Sequence, residues 1–372
     1  MPAAIVGAAE TAYLYPPEGS ALPLLAEAAR SALADAGLRP RDVDGLAVAS
    51  FSLAPDHAID VAWRLGLHLR WLMEDTNGGA SGLNMLQHAL RAVEAGDARA
   101  VLLLAGDALG AEAFRELTET YNSATRDHLA PIPTGGPNAL FALLTRRHME
   151  AYDLERRIYG ELVVAQRRWA ERNPNAVFRE PLSLDEYLAA APVADPLTRY
   201  DCVPIVSGAD AIVVAEGTGV AVAAIRALHN HDDQDGDGLQ TGLAEIAPGL
   251  WSDAQLAPED VDIVSIYDDY PVMVLVQLAD LGLIPDGDVA RFVTGRIAAG
   301  AYPLNTSGGQ LSAGQAGAAG ALHGLVEVVR HLRGEAGPRQ VEGARSAIVT
   351  GYGMVLYRYG ACANAAVLTG TP

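Results

Sequence analysis

Leu38-Arg39-Pro40-Arg41-Asp42-Val43-Asp44-Gly45-Leu46-Ala47-Val48 returns further along the chain as Leu256-Ala257-Pro258-Glu259-Asp260-Val261-Asp262-Ile263-Val264-Ser265-Ile266. Each copy follows a helix-like stretch, turns at its Pro and Asp residues, and enters a short apolar strand. A second echo follows each copy. Thr76-Asn77-Gly78-Gly79-Ala80-Ser81-Gly82 opens a helical stretch through Glu94 and then a strand, Ala98–Ala105. Asn305-Thr306-Ser307-Gly308-Gly309, with glycines up to Gly320, opens a helix through His331 and then a strand, Ala344–Thr350. Strand, glycine-rich loop, helix and strand, repeated, specify a duplicated α/β fold. Strands such as Val101–Ala105 are apolar throughout, as expected of sheets covered on both faces. The halves are expected at 1–225 and 240–372, with an irregular insertion at about 110–200 in the first. It carries helix-like sequence over 148–172 and the loop Asn173-Pro174-Asn175-Ala176, and reads as a cap over the site.

Composition narrows the chemistry. The chain has 372 residues, half of them apolar, enough for one large domain or two medium ones. Its 26 basic and 46 acidic residues give a net charge of −20, which argues against nucleic-acid and membrane-surface partners. All the basic residues are Arg. Schiff-base catalysis, pyridoxal phosphate chemistry and a Walker A loop all need Lys and are excluded. Cys202 and Cys362 form neither a disulfide framework nor a zinc spacing. No apolar run approaches the roughly 18 residues of a membrane span, and no basic segment precedes the first apolar stretch. A reduced, cytoplasmic protein is expected.

At its two glycine-rich loops the chain resembles thiolase-fold proteins of the sterol-carrier-protein-X-like branch. The resemblance runs over essentially the whole chain. It includes Asn173-Pro174-Asn175-Ala176, Ala194-Asp195-Pro196-Leu197, and Asn305-Thr306-Ser307-Gly308-Gly309 followed by Gly314-Gln315-Ala316-Gly317. It implies a five-layered αβαβα fold and a homodimer acting on acyl-CoA thioesters. The departures from the family pattern are as informative. Gly79 stands where a thiolase carries its nucleophilic Cys, so no thiolate forms there. The family's Gly-His-Pro reads Gly314-Gln315-Ala316. Its third motif reads Tyr267-Asp268-Asp269-Tyr270, and Gly351-Tyr352-Gly353 replaces its second Cys. Claisen chemistry through an acyl-enzyme is thereby excluded.

Tyr302, just before the Asn305 loop, and Tyr352 give the chain its likeness to the steroid side-chain aldolases. These lipid-transfer-protein-like members cleave β-hydroxyacyl-CoA, and their paired active-site tyrosines fall at these two motifs. The resemblance implies a metal- and Schiff-base-independent lyase. It would perform retro-aldol cleavage of a 17-hydroxy steroid carboxyl-CoA to a 17-ketosteroid and propionyl-CoA. It also implies an OB-fold, zinc-ribbon-type partner protein. No cofactor is expected, coenzyme A being part of the substrate. Two rivals stay open: a non-catalytic acyl-CoA- or lipid-binding subunit, and a Cys-independent acyltransferase subunit.

Retro-aldol cleavage needs a base for the β-hydroxyl and stabilisation of the departing enolate, but no nucleophile. A thioester supplies its own electron sink when donors surround its carbonyl oxygen. Backbone N–H groups at Gly78–Gly82 and Gly314–Gly317 are candidate donors. Lowering a phenol from about 10 to 7 takes about 4 kcal/mol of phenolate stabilisation. A relay between Tyr302 and Tyr352, one as base and the other as acid, relaxes that demand. Gly79, Tyr267, Asp268, Asn305 and Gln315 are expected around the oxyanion and pocket. The arginine pairs 146/147, 156/157 and 167/168 read either as a solvated face or as coenzyme A phosphate ligands. Asp233-Gln234-Asp235-Gly236-Asp237-Gly238 imitates an EF-hand, but position twelve falls on Ala244 rather than Glu245. His229 and His231 beside it do not make a metal site, and none is expected.

Overall fold

The computed structural model describes residues 2–132, 136–231, 236–356 and 359–370; Asp233-Gln234-Asp235 of the acidic loop lie outside them. In chain order the first half supplies β1 (Ala3–Glu10), α1 (Ala21–Asp35), β2 (Gly45–Ala49), α2 (Ala58–Leu65), β3 (Trp71–Glu74), α3 (Ser81–Glu94) and β4 (Ala100–Asp107). The insertion follows with α4 (Ala111–Thr120), α5 (Pro137–Tyr152), α6 (Arg156–Ala170), α7 (Leu184–Ala189), β5 (Pro192–Ala194) and β6 (Leu197–Thr198). Then come β7 (Gly208–Glu216), β8 (Ala221–His229), α8 (Leu243–Ala254), β9 (Ile263–Ser265) and α9 (Pro271–Asp280). The chain ends with α10 (Val289–Phe292), α11 (Gly309–Ala313), α12 (Gly320–Leu332), β10 (Ser346–Leu356) and β11 (Tyr359–Thr369).

Besides the pairing of β5 with β6 in the insertion, two large sheets form, ordered β1-β7-β4-β2-β3 and β8-β11-β10-β9. The helices after the glycine-rich loops, α3 and α12, lie between them, and their Leu, Val and Ala side chains fill the central core. Helices α1 and α2 cover the outer face of the first sheet. Helices α8 and α9 cover the second, together with much of the insertion. This is the five-layered αβαβα arrangement. The chain crosses between sheets after Glu216, because β8 pairs with β11.

The opening echo has a structural cause. In each half the Pro and Asp residues form a single turn, Pro40–Asp42 and Pro258–Asp260. The Asp four residues beyond each Pro then caps the start of the neighbouring parallel strand. Asp44 accepts the N–H groups of Arg99 and Ala100 at 2.7 and 3.2 Å. Asp262 accepts those of Arg345 and Ser346 at 2.8 and 3.0 Å. One carboxylate thus registers β2 against β4 and β9 against β10, satisfying N–H groups the ladder leaves unpaired. Both glycine-rich loops emerge from the sheets so aligned.

Candidate active site

The first loop is tied by Asp75, which accepts the Asn77 N–H at 2.9 Å and the side-chain amides of Asn77 and Asn84, both at 3.2 Å. Asn364 donates to the Ala80 carbonyl at 2.8 Å. Strand β10 crosses directly over the loop. A Cβ on Gly351 or Gly353 would strike the backbone of Gly79 or Asn77, so glycine is required at both. A Cβ on Gly79 would fall within the ring of Tyr267 and against the carbonyl of Tyr352. The space of a thiolase nucleophile is filled here by a phenol.

Gln315 donates to the Tyr267 hydroxyl at 3.0 Å, leaving the phenol its own proton to give. Burial, and then the charge of Asp269, push Tyr267 well above the usual phenol range. Its backbone is fixed by Thr350, which accepts its N–H at 3.0 Å, and by Gln277, which donates to its carbonyl at 2.8 Å. Gly79, Tyr267, Gln315 and the Tyr352 backbone therefore form one niche.

Asp268 turns away from that niche. Its carboxylate accepts the N–H groups of Gln310 and Leu311 at 2.8 and 3.3 Å and the Gln166 amide at 2.8 Å. It anchors α11 and α6, and it also lines the small cavity beside Tyr267. Burial outweighs these donors and pushes its carboxyl up to about 7. Asp269 is half-buried and pushed up to about 8 by burial and then by Asp268. Asn305, at φ 46°, accepts the Ile266 N–H at 2.7 Å, while its buried Nδ2 has no partner among the described residues. That amide borders a cavity of about 10 Å³, shared with Tyr267, Gln310 and His323, room for roughly one water.

The two expected catalytic tyrosines differ in setting. The buried hydroxyl of Tyr302 has no hydrogen-bond partner among the described residues. Its ring meets Phe292 edge-on at 5.0 Å and lies under the Arg296 guanidinium at 5.7 Å. Burial raises this phenol above its ordinary range, with Arg296 acting against it. Tyr352 packs over Gly360 and accepts that residue's N–H. Both rings border the apolar cluster that also holds Tyr267 and Tyr270.

The second loop corrects one expectation. The Gly314 N–H is taken by the Gln310 carbonyl at 3.0 Å and that of Gln315 by Pro204 at 2.9 Å. Neither is available to a substrate oxygen, because this segment runs beside Ile205 as a short bridge. The arginine pairs are also engaged. Arg146, Arg147 and Arg157 pair with Asp195, Asp237 and Glu161. Arg156, Arg167 and Arg168 donate to Tyr187, Ser312 and Ala298. That weakens their reading as phosphate ligands. Burial pushes the thiols of Cys202 and Cys362 up to about 12 and about 11, which keeps them neutral.

Sequence reasoning missed Tyr121, whose hydroxyl lies 2.6 Å from the position of a Cβ on Gly78. It sits in the insertion, in no motif, and no local pattern marks it. Asp269 was visible in the Tyr267–Tyr270 quartet but had no signal separating it from Asp268.

Residues 202–363 match the model of the thiolase C-terminal domain-like family. The chain is 34% identical, over 94% of its length and 95% of the relative's, to the 17-hydroxy-3-oxo-4-pregnene-20-carboxyl-CoA lyase of Mycobacterium tuberculosis. The chain belongs to the thiolase-like steroid side-chain aldolase family. A second relative in this aldolase family, the steroid side-chain-cleaving aldolase of Thermomonospora curvata, is 29% identical over 89% of this chain and 90% of its own. The solved Ltp2-ChsH2(DUF35) aldolase superposes with a TM-score of 0.83 at 24% identity, covering 99% of this chain and 98% of that one. That likeness carries the aldolase fold.

Proposed function

We propose that this protein is a carbon–carbon lyase that cleaves a 17-hydroxy steroid carboxyl-CoA to a 17-ketosteroid and propionyl-CoA. The observation that carries the reading is the niche at Gly79, where the Tyr267 ring excludes any nucleophile. The reaction left to such a site breaks a carbon–carbon bond without an acyl-enzyme. A base takes the β-hydroxyl proton, the bond electrons pass into the thioester enolate, and an acid returns a proton to the enolate carbon.

Tyr302 and Tyr352 fit the acid and base. A phenol held protonated by burial, as Tyr302 is, suits the donor. Tyr352, whose hydroxyl oxygen already accepts the Gly360 N–H, takes the part of the base. Tyr267, with Gln315 at its oxygen, fits a hydrogen-bond donor to the developing enolate oxygen, joined by N–H groups at the start of α3. Asn305 shapes the loop beside it. Coenzyme A enters as part of the substrate, with no separate cofactor.

A homodimer through β3 fits the exposed edge of the first sheet. Leu72 on that strand is 42% exposed, and Ile59 and Trp63 on adjoining α2 are 58% and 77% exposed. A separate OB-fold, zinc-ribbon-type partner is part of the same reading, supported by the complex named for the superposed aldolase. Two free, neutral thiols fit a reducing cytoplasm, and no helix among the described residues is long and apolar enough to cross a membrane. The test is a product assay on 17-hydroxy-3-oxo-4-pregnene-20-carboxyl-CoA, with and without a candidate partner. Equal release of ketosteroid and propionyl-CoA supports the lyase. Binding without cleavage in both conditions leaves a binding subunit, and acyl transfer to an acceptor leaves an acyltransferase.

A further inference from the structure

The niche at Gly79 is closed. Gly78 and Gly79 are buried, and the space beside them is filled, by the Tyr121 hydroxyl at Gly78 and by the Tyr267 ring and the Tyr352 carbonyl at Gly79. A thioester of this class needs a pocket of several hundred Å³. Some element over the niche has to move. Helix α4 buries none of its residues, so its own packing holds it weakly. The corner that follows it, Tyr121-Asn122, grips the hairpin of β10 and β11.

Two bonds make this grip. The Tyr121 hydroxyl accepts the Met354 N–H and lies against Gly78, with its ring 5.9 Å from that of Phe51. The Asn122 amide donates to the Val355 carbonyl at 3.1 Å, and its oxygen accepts the Thr125 N–H at 2.8 Å, which fixes its orientation. Met354, between the grip and Tyr352, holds φ 56°. That conformation is disfavoured for a side-chain-bearing residue and needs outside support.

We infer that Tyr121 and Asn122 are positioning residues, a latch that sets the hairpin carrying Tyr352, covers Gly78, and releases to admit the thioester. The latch rests on the retro-aldol reading for its role in turnover, but not for its contacts. Asn122→Asp tests it closely. The side chain keeps its shape and its acceptor for Thr125, but presents an oxygen to the Val355 carbonyl. Tyr121→Phe removes only the acceptor for Met354.

Hydrogen exchange, steady-state kinetics and stopped-flow binding of the steroid thioester are measured on the full chain with its partner. In Asn122→Asp, exchange over 350–356 should rise at least tenfold, with the melting temperature within about 2 °C of the parent. In the same variant kcat should fall at least tenfold, while the thioester binds faster than in the parent. Tyr121→Phe should shift each quantity in the same direction by less. Unchanged exchange overturns the latch, and so does raised exchange with unchanged kcat and binding rate. If the parent protein cleaves nothing, the retro-aldol reading falls. Exchange and binding rate then decide the latch: both raised support it, and either unchanged overturns it.

Discussion

The two glycine-rich loops begin as near copies in sequence and end as opposites in structure. The second, Asn305–Gly309, is clamped by side chains of α12. Thr306 donates to Glu327 at 3.0 Å and bonds His331 at 2.8 Å, and Ser307 bonds His323 at 2.8 Å. Glu327 is itself held by two bonds from Arg339, at 2.9 and 2.8 Å. The first loop, Asn77–Gly82, has one carboxylate at its entrance and otherwise lies beneath backbone, β10 above and Tyr267 alongside. A loop clamped by buried charge makes a platform. A loop covered by a hairpin makes a niche whose roof is separable from its floor.

The largest expected effect tests the clamp. Arg339→Met leaves Glu327 buried without its cation, and urea unfolding should show a loss of about 3–5 kcal/mol. A loss below about 1 kcal/mol would mean that buried charge does not hold the second loop. Next come the tyrosines that flank the loops. Tyr302→Phe and Tyr352→Phe should each cut steroid release at least roughly 100-fold while the melting temperature stays within a few degrees; near-normal turnover in both ends their assignment.

The niche is tested by filling it. Gly79→Ala should cost about 1–3 kcal/mol of stability by overpacking. Tyr267→Ala in the same chain should recover part of that loss, since the two side chains contend for one volume. Simple additivity would show that they do not meet. The smallest effect is a slope in pH. Asp268 is raised in the folded state to about 7, so the folded protein holds a proton that the unfolded chain releases near pH 4. Its contribution therefore lowers stability as pH rises from about 4 to 7, by at most about 1.4 kcal/mol per pH unit. In Asp268→Asn the unfolding free energy should fall less steeply across that window, and an unchanged slope would place the titration elsewhere.

Much of the fold was legible because its causes are local. The Pro-Asp turns, the capping residues Asp44 and Asp262, and the glycines opening α3 and α12 act on backbone within a few residues, and so leave a mark in order and spacing. The missing thiolase groups were legible for the same reason: a position either carries a thiol or does not. The setting of each candidate residue was not. Asp268 and Asp269 are neighbours of one type, yet one anchors two helices and the other stands half-buried beside the niche. Gly314 and Gln315 look like open donors until Pro204 and Gln310 take their N–H groups.

By itself, then, the sequence determined that two α/β halves would form, that no Lys imine or Cys nucleophile would operate at the expected positions, and that phenols would stand near both loops. Only the tertiary structure decided that Tyr267 fills the space above Gly79 and that Tyr121 reaches Met354 from the insertion. These are contacts between segments far apart in the chain. Their geometry is set by how the sheets and layers pack, and packing leaves no periodicity for a linear reading to find.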